Sequence, residues 1–393
     1  MKKIILFFVS SIAFGQSVTQ SILLLPDTGQ TTSYTATFGE DNDYIINVPS
    51  YTDNGNGTIT DNVTGLMWQK VDGGEMTIEN APAYCSSLTL GGYTNWRLPT
   101  PMESFSLVNL QRNNPALNTT YFPSTGADYW WTNAFQANDN TKVWCTNSGG
   151  GIGNKPKSET VSAGGNKSYH VRAVRNVTIP TILPNHFTDN GDGTITDTTT
   201  QLIWQKVPNA AAITWEQAIG YSENLTLAGF SDWRLPNIKE LQSLNDESVL
   251  NPSVNTNYFG TIGIKNYWSS TTLLPNASNL SNAWYWNTQF GITTYDSKTN
   301  ANYVICVRGI PTNLANHQVV NETNSIKVVP NPFTSKFNVI TTSSNEVYEL
   351  YDELGKQIYV GQSPDKQDFS TIQSGVYYLK VAGTTTVVKL VKQ

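Results

Sequence analysis

A ten-residue run written twice constrains this chain more than any other feature. Thr52-Asp53-Asn54-Gly55-Asn56-Gly57-Thr58-Ile59-Thr60-Asp61 returns 136 residues later as Thr188 to Asp197, with Asp192 in place of Asn56. The copies stay in register through Trp68-Gln69-Lys70 and Trp204-Gln205-Lys206, Trp96-Arg97-Leu98-Pro99 and Trp233-Arg234-Leu235-Pro236, and Asn114-Pro115 and Asn251-Pro252. A period this long is a duplicated domain, since solenoid repeats run at about 20–50 residues. Each copy is long enough to bury its own core, so two independently cored globules are expected.

The composition narrows the class. Charged residues are 14% of the chain and the formal net charge is −6, which argues against a protein held globally to nucleic acid or anionic membrane. Met1 to Gly15 read as a secretory signal, with Lys2 and Lys3 ahead of an apolar run and Ala13-Phe14-Gly15 as a cleavage site. That run is too short to span a bilayer, and no later stretch is long enough. Leu25-Pro26-Asp27-Thr28-Gly29 imitates a wall-sorting signal but lacks the apolar anchor that would follow one. Three cysteines, Cys85, Cys145 and Cys306, permit at most one intrachain bridge and are expected as small buried side chains.

Within a copy, Asn-Gly and Asp-Gly turns between alternating residues predict a hairpin, and Leu202 to Lys206 a third strand. Glycine stands where a calcium loop wants carboxylates, which favours a plain hairpin. A helix is expected from Thr214 with Gln217 closing a capping box, and in the first copy from Thr77, with Pro82 disturbing its first turns. A second helix follows each Trp-Arg-Leu-Pro run, capped by Thr100 with Glu103 and by Asn237 with Glu240. The remainder is strand-like, so each copy is α+β, with two helices packed on antiparallel sheet.

The hairpin, the Trp-Gln-Lys strand, the Trp-Arg-Leu-Pro junction, Tyr267-Trp268-Ser269-Ser270 and the closing Val174-Arg175 and Val307-Arg308 resemble the Lcl C-terminal domain family, named for a bacterial collagen-like adhesin. The resemblance implies a variant of the C-type lectin-like fold. It also implies a glycan-binding or adhesive role, because the namesake binds sulfated glycans at the cell surface. Family members often carry cysteines in both the first helix and the final strand, whereas each copy here keeps one. The Trp-Arg-Leu-Pro junction is also similar to the formylglycine-generating enzyme superfamily, but neither copy holds the cysteine pair such an enzyme needs.

From about Ser325, Pro330-Asn331-Pro332-Phe333, Tyr351 to Lys356, Ser374 to Tyr378 and the terminal Lys389-Leu390-Val391-Lys392 resemble the type A C-terminal sorting domain of type IX secretion. This implies handling by the type IX machinery, then release from or attachment to the cell surface. The expected organisation is a signal peptide at 1–15, an N-terminal extension at 16–48, a first copy at 49–178, a second at 186–310, a linker at 311–324 and an all-β sandwich at 325–393.

The residues point to binding rather than catalysis. His170, His186 and His317 are scattered without zinc-ligand spacing, and neither a metal nor a cofactor is expected. Asp53, Asp61, Asp189 and Asp197 are expected in turn duty. Gly149 through Lys167 reads as a long flexible loop that gathers Lys155, Lys157 and Lys167 and is suited to sulfate or carboxylate groups. Trp284 and Trp286 share one strand face beside Asn287, either as a sugar-stacking pair or as core. The expected protein is an exported, cell-surface or secreted, non-catalytic binding protein, glycan-binding or adhesive, with sulfated or other surface glycans as its partners. The alternative is a structural or protein–protein interaction module.

Overall fold

A computed structural model describes residues 22–158, 169–177, 186–274, 280–309, 327–340, 346–352, 356–382 and 387–393. The signal peptide, Lys167, His317 and the 311–324 linker lie outside the described residues. The chain divides into two compact units, residues 1–311 and 312–393.

In the first copy, β1 (Tyr51–Asp53), β2 (Thr58–Asp61), β3 (Leu66–Gln69) and β8 (Val174–Asn176) form one sheet in that order. A second sheet runs β6 (Ile152–Pro156), β5 (Asp139–Asn147), β4 (Tyr129–Gln136) and β7 (Tyr169–His170). Between β3 and β4 lie α1 (Ala81–Ser87) and α2 (Pro101–Ser106). The second copy repeats the plan: β9 (Phe187–Asp189), β10 (Thr194–Asp197), β11 (Leu202–Gln205) and β15 (Val307–Gly309) in one sheet, and β12 (Asn266–Thr272), β13 (Asn282–Asn287) and β14 (Ile292–Ser297) in another. Its helices are α3 (Trp215–Glu223) and α4 (Ile238–Ser243). Strand dominates over helix throughout.

The repeated motifs now have physical reasons. Asp53 accepts from Gly55 N at the hairpin tip and pairs with Lys70, and Asp189 does the same with Gly191 and Lys206. The tip glycines Gly55 and Gly191 sit at φ 71° and 75°, conformations that favour glycine. Asp61 and Asp197 each collect two backbone N–H groups of the following turn. In Trp-Arg-Leu-Pro, Arg97 forks onto Glu103 through two bonds of 2.7 Å, and Arg234 onto Glu240 at 2.7 and 2.5 Å. The same glutamates cap their helices by accepting from Thr100 N and Asn237 N. Trp96 and Trp233 are buried alike, each beside its own first helix.

Helix α1 begins at Ala81 rather than Thr77, which puts Pro82 in the first turn, where no backbone donor is required. Pro82 therefore starts this helix instead of disturbing it.

The expectation of two independent cores is overturned. Each copy keeps a private cluster, around Trp131 and Cys85 in the first and around Trp268 and Cys306 in the second. A third cluster is continuous across both: Trp68, Phe105 and Trp144 pack in the same interior as Trp204, Leu241 and Trp284. Helices α2 and α4 meet there, as do the edge strands β6 and β14. Ile152 N donates to Thr293 Oγ1 at 2.9 Å, and these residues hold matching register positions in the two sheets. Glycines lie at this joint: a Cβ added at Gly150 or Gly151 would stand 3.6 or 3.5 Å from the Trp284 ring of the second copy. Domain duplication is legible in sequence, but which faces the copies bury against each other is not.

The N-terminal extension is part of this joint. Leu110 N of the first copy donates to Thr28 O, while Gln30 Nε2 reaches Thr272 O of the second at 2.6 Å. Tyr44 donates to Glu223 at 2.8 Å. Lys239, fully buried, donates to Asp27 O and Ser106 O at 2.8 and 2.9 Å, which ties extension, first copy and second copy together.

The second unit holds β16 (Lys327–Val329) with β17 (Asn338–Ile340), and a sheet ordered β19 (Gln357–Gly361), β18 (Tyr348–Asp352), β20 (Gly375–Val381) and β21 (Val387–Lys392). Phe333, Phe337 and Phe369 fill its core with Leu350 and Leu379.

Candidate functional site

A cleft of about 330 Å³ opens where the second sheet of the first copy meets β14 and the β13–β14 turn of the second. Tyr129 and Gln136 of β4, Lys142 and Cys145 of β5, and Asn154 and Lys155 of β6 line one wall. Phe290, Ile292, Thr293 and Thr294 line the other. Gly153 contributes to its width, because a Cβ there would touch only Ile292, at 3.5 Å.

The charge is positive and the polar groups are not all used. Lys155 Nζ stands 5.4 Å from the centre of the Tyr129 ring, and Lys142 is 3.3 Å from Asp139. Gln136 Nε2 donates to Asn138, which leaves Gln136 Oε1 buried without a partner; Asn154 Nδ2 is likewise buried and unpartnered. A buried amide atom without a bond is costly, so a polar ligand that satisfied both would be favoured. The matching positions in the second copy carry Leu273 for Gln136, Asn282 for Lys142, Tyr285 for Cys145, Thr294 for Gly153 and Asp296 for Lys155. Duplication has therefore produced one cationic cleft rather than two.

The candidate residues from sequence distribute unevenly. Lys155 lies in the cleft, but on strand β6 and not on a flexible loop. Lys157 faces Glu79 at 3.9 Å, away from the cleft lining. Trp286 is wholly buried and Trp284 nearly so, the latter packed against Gly150 and Gly151 of the first copy. The sugar-stacking pair is thus core, because neither ring offers a face to solvent. Asn287 shapes the β13–β14 turn by donating to Asn266 and accepting from Phe290 N. Sequence reasoning missed Gln136, Lys142 and Asn154, whose signal was available only by comparing the copies position by position.

A second polar cluster lies inside the first copy. Buried Asp72 accepts from Thr125, from Trp130 Nε1 at 3.0 Å and from Arg172 at 3.4 Å, and contacts His170 Nδ1 at 2.8 Å. Burial opposes its ionisation, but these partners outweigh it and hold the carboxyl well below the usual carboxylate range. Arg172 also donates to Gln69 O at 2.9 Å, so the cluster fastens the segment after β3 to β7 and the residues that follow it. The second copy has Tyr303 and Ile305 in place of His170 and Arg172. His186 stands apart, with its Nδ1 3.0 Å from Asp197. The three cysteines are free and buried.

Family comparison bears on the same residues. The model described as Lcl C-terminal domain matches twice, over 57–175 and 193–308, together more than half the chain. The chain belongs to that family. In its two Lcl C-terminal domains the matches begin inside the hairpins and end at the closing Val-Arg strands, so both walls of the cleft fall within them. Residues 327–393 match the secretion system C-terminal sorting domain, which marks a protein exported through the type IX machinery, secreted or held at the cell surface. No curated protein is significantly similar to the chain. Among the described residues no helix is long and apolar enough to cross a membrane.

Proposed function

We propose that this exported protein is a non-catalytic binding protein of the cell surface or its surroundings, and that the cleft between its two Lcl C-terminal domains holds an acidic glycan. The observation that carries this reading is the pairing of Lys142 and Lys155 with the unpartnered Gln136 Oε1 and Asn154 Nδ2 in one cleft. Two ammonium groups suit sulfate or carboxylate, and free amide atoms suit the hydroxyls of a sugar ring. Tyr129 adds an aromatic wall, and the volume falls in the range of small-ligand sites. Two sheets, antiparallel apart from the β4–β7 pair, with two short helices in each copy support the C-type lectin-like reading of the fold. The burial of Asp72 and His170 within a structural network supports the non-catalytic reading.

A glycan array with the full chain, followed by retention on a sulfated or uronate-bearing column, tests this. Retention should fall with salt, and it should weaken in Lys142→Ala and Lys155→Ala while Lys157→Ala behaves as the native chain. Equal retention in all three variants would remove the cleft from the account. An array without any hit, alongside a recovered protein partner, would favour the interaction-module alternative.

A further inference from the structure

Below the β13–β14 turn the two copies differ in an unusual way. The first packs Phe105, Val108 and Leu110 into the shared interior, where the second has Gln242, Asn245 and Glu247 at matching positions. All three polar side chains are at least nine-tenths buried, with exposures of 2%, 8% and 7%. Polar groups in such a place must find partners or be costly.

They meet around Gly291. Gln242 Nε2 donates to Gly291 O at 3.1 Å, and Asn245 Nδ2 donates to Glu247 Oε1 at 3.2 Å. Asn245 lies so close that a Cβ on Gly291 would be 1.9 Å from its Oδ1. Each amide nitrogen thus has a partner, whereas the acceptors Gln242 Oε1 and Asn245 Oδ1 are buried without one. The charged neighbour acting on the Glu247 carboxyl is Asp246, of the same sign. Two unpartnered amide oxygens beside a carboxyl group are the complement of a positive ion.

We propose that Gln242, Asn245 and Glu247 form a site for a hard, oxygen-seeking cation of the Ca²⁺ kind, between the end of α4 and the β13–β14 turn. Ca²⁺ accepts mixed carboxylate, amide and carbonyl oxygens in flexible geometry, whereas Mg²⁺ keeps several waters that a buried site cannot house. Among the described residues no group of three His, Cys, Asp or Glu side chains could hold a metal; the site proposed here relies on amide oxygens beside a single carboxylate. One carboxylate implies weak binding, in the roughly 10⁻⁴–10⁻³ M range of extracellular modules. The ion would fix the turn that carries Phe290 to the rim of the cleft. The proposal does not depend on what the cleft binds.

The test uses the full chain after chelator treatment, with thermal unfolding followed in CaCl₂, MgCl₂ and NaCl at matched ionic strength and Ca²⁺ affinity measured by calorimetric titration. Ca²⁺ should raise the unfolding midpoint of the native chain and Mg²⁺ should not. Glu247→Gln, which keeps size and loses charge, should weaken Ca²⁺ binding roughly tenfold or more. Glu247→Leu, the first copy's residue at this position, should abolish the response; if it fails to fold, Glu247→Gln decides. An equal Ca²⁺ response in native chain and variants would overturn the proposal, and so would no response in the native chain, the result expected if water satisfies these oxygens.

Discussion

Cys306 Sγ donates to Ser222 Oγ at 3.3 Å, joining the end of α3 to the segment that leads into β15. Ser222→Cys should therefore yield a disulfide with Cys306, because the two side chains already meet inside a closed core and a modest rotation about each Cβ would bring sulfur atoms to bonding distance. The residues are 84 apart in sequence, and the loop-closure relation gives about 4.5 kcal/mol of added stability for a loop of that length, an upper value since native-state strain subtracts from it. Loss of the present hydrogen bond costs at most about 1 kcal/mol. Burial pushes the Cys306 thiol up to about 12, so the folded protein should oxidise slowly and the bridge should form during oxidative refolding. Mass spectrometry with thiol labelling counts the bridge, and urea unfolding with and without reductant measures its effect. A variant that refolds oxidatively yet keeps three labelled cysteines besides the new thiol would refute the placement of α3 against the closing strand.

Two further outcomes follow from the buried charges. Arg234→Ala should destabilise the first unit by about 3–5 kcal/mol, because it strands Glu240 in the interior; Arg97→Ala should cost less, since that side chain is 35% exposed against 5% for Arg234, and paired urea titrations check the order. Stability should also pass through a minimum near neutral pH. Burial raises Asp27 from 3.8 to about 6, so its contribution is complete below about pH 4 and is lost as pH rises through 6. Burial lowers Lys239 from 10.5 to about 8, so its contribution is lost as pH falls through 8 and is complete above about 10.5. Urea midpoints at pH 5, 7 and 9 test this, and a maximum at pH 7 would contradict it; Lys239→Met, which gives the first copy's Met102 side chain at that position, should flatten the alkaline limb.

Local rules made much of the fold legible. The Asp-Asn-Gly hairpins, the capped helix after Trp-Arg-Leu-Pro and the strands of the sorting domain follow from turn chemistry, capping and alternation, each written within about ten residues of chain. Pro82 was misplaced because the start of α1 depends on where the preceding turn ends, not on the first available cap. The shared interior was not legible, because apolar side chains that serve a private core and those that serve a common one have the same pattern. That is why Lys155 looked like part of a loop: the glycines around it are small so that another domain can approach, and composition alone reads them as flexible. Trp284 and Trp286 posed the same ambiguity, since alternation places both rings on one face without saying what covers it. The buried oxygens at Gln242, Asn245 and Glu247 stand out only when each is set beside its apolar counterpart.

The two copies share one hydrophobic interior, with the extension at residues 22–48 built into it. Differential scanning calorimetry on a chain cut to residues 22–310, beside the second copy alone at 186–310, tests this most directly. One cooperative transition for the longer piece, with no cooperative transition for the isolated copy, is the predicted result. Two separable transitions, one of them reproduced by the isolated copy at its own temperature, would contradict it.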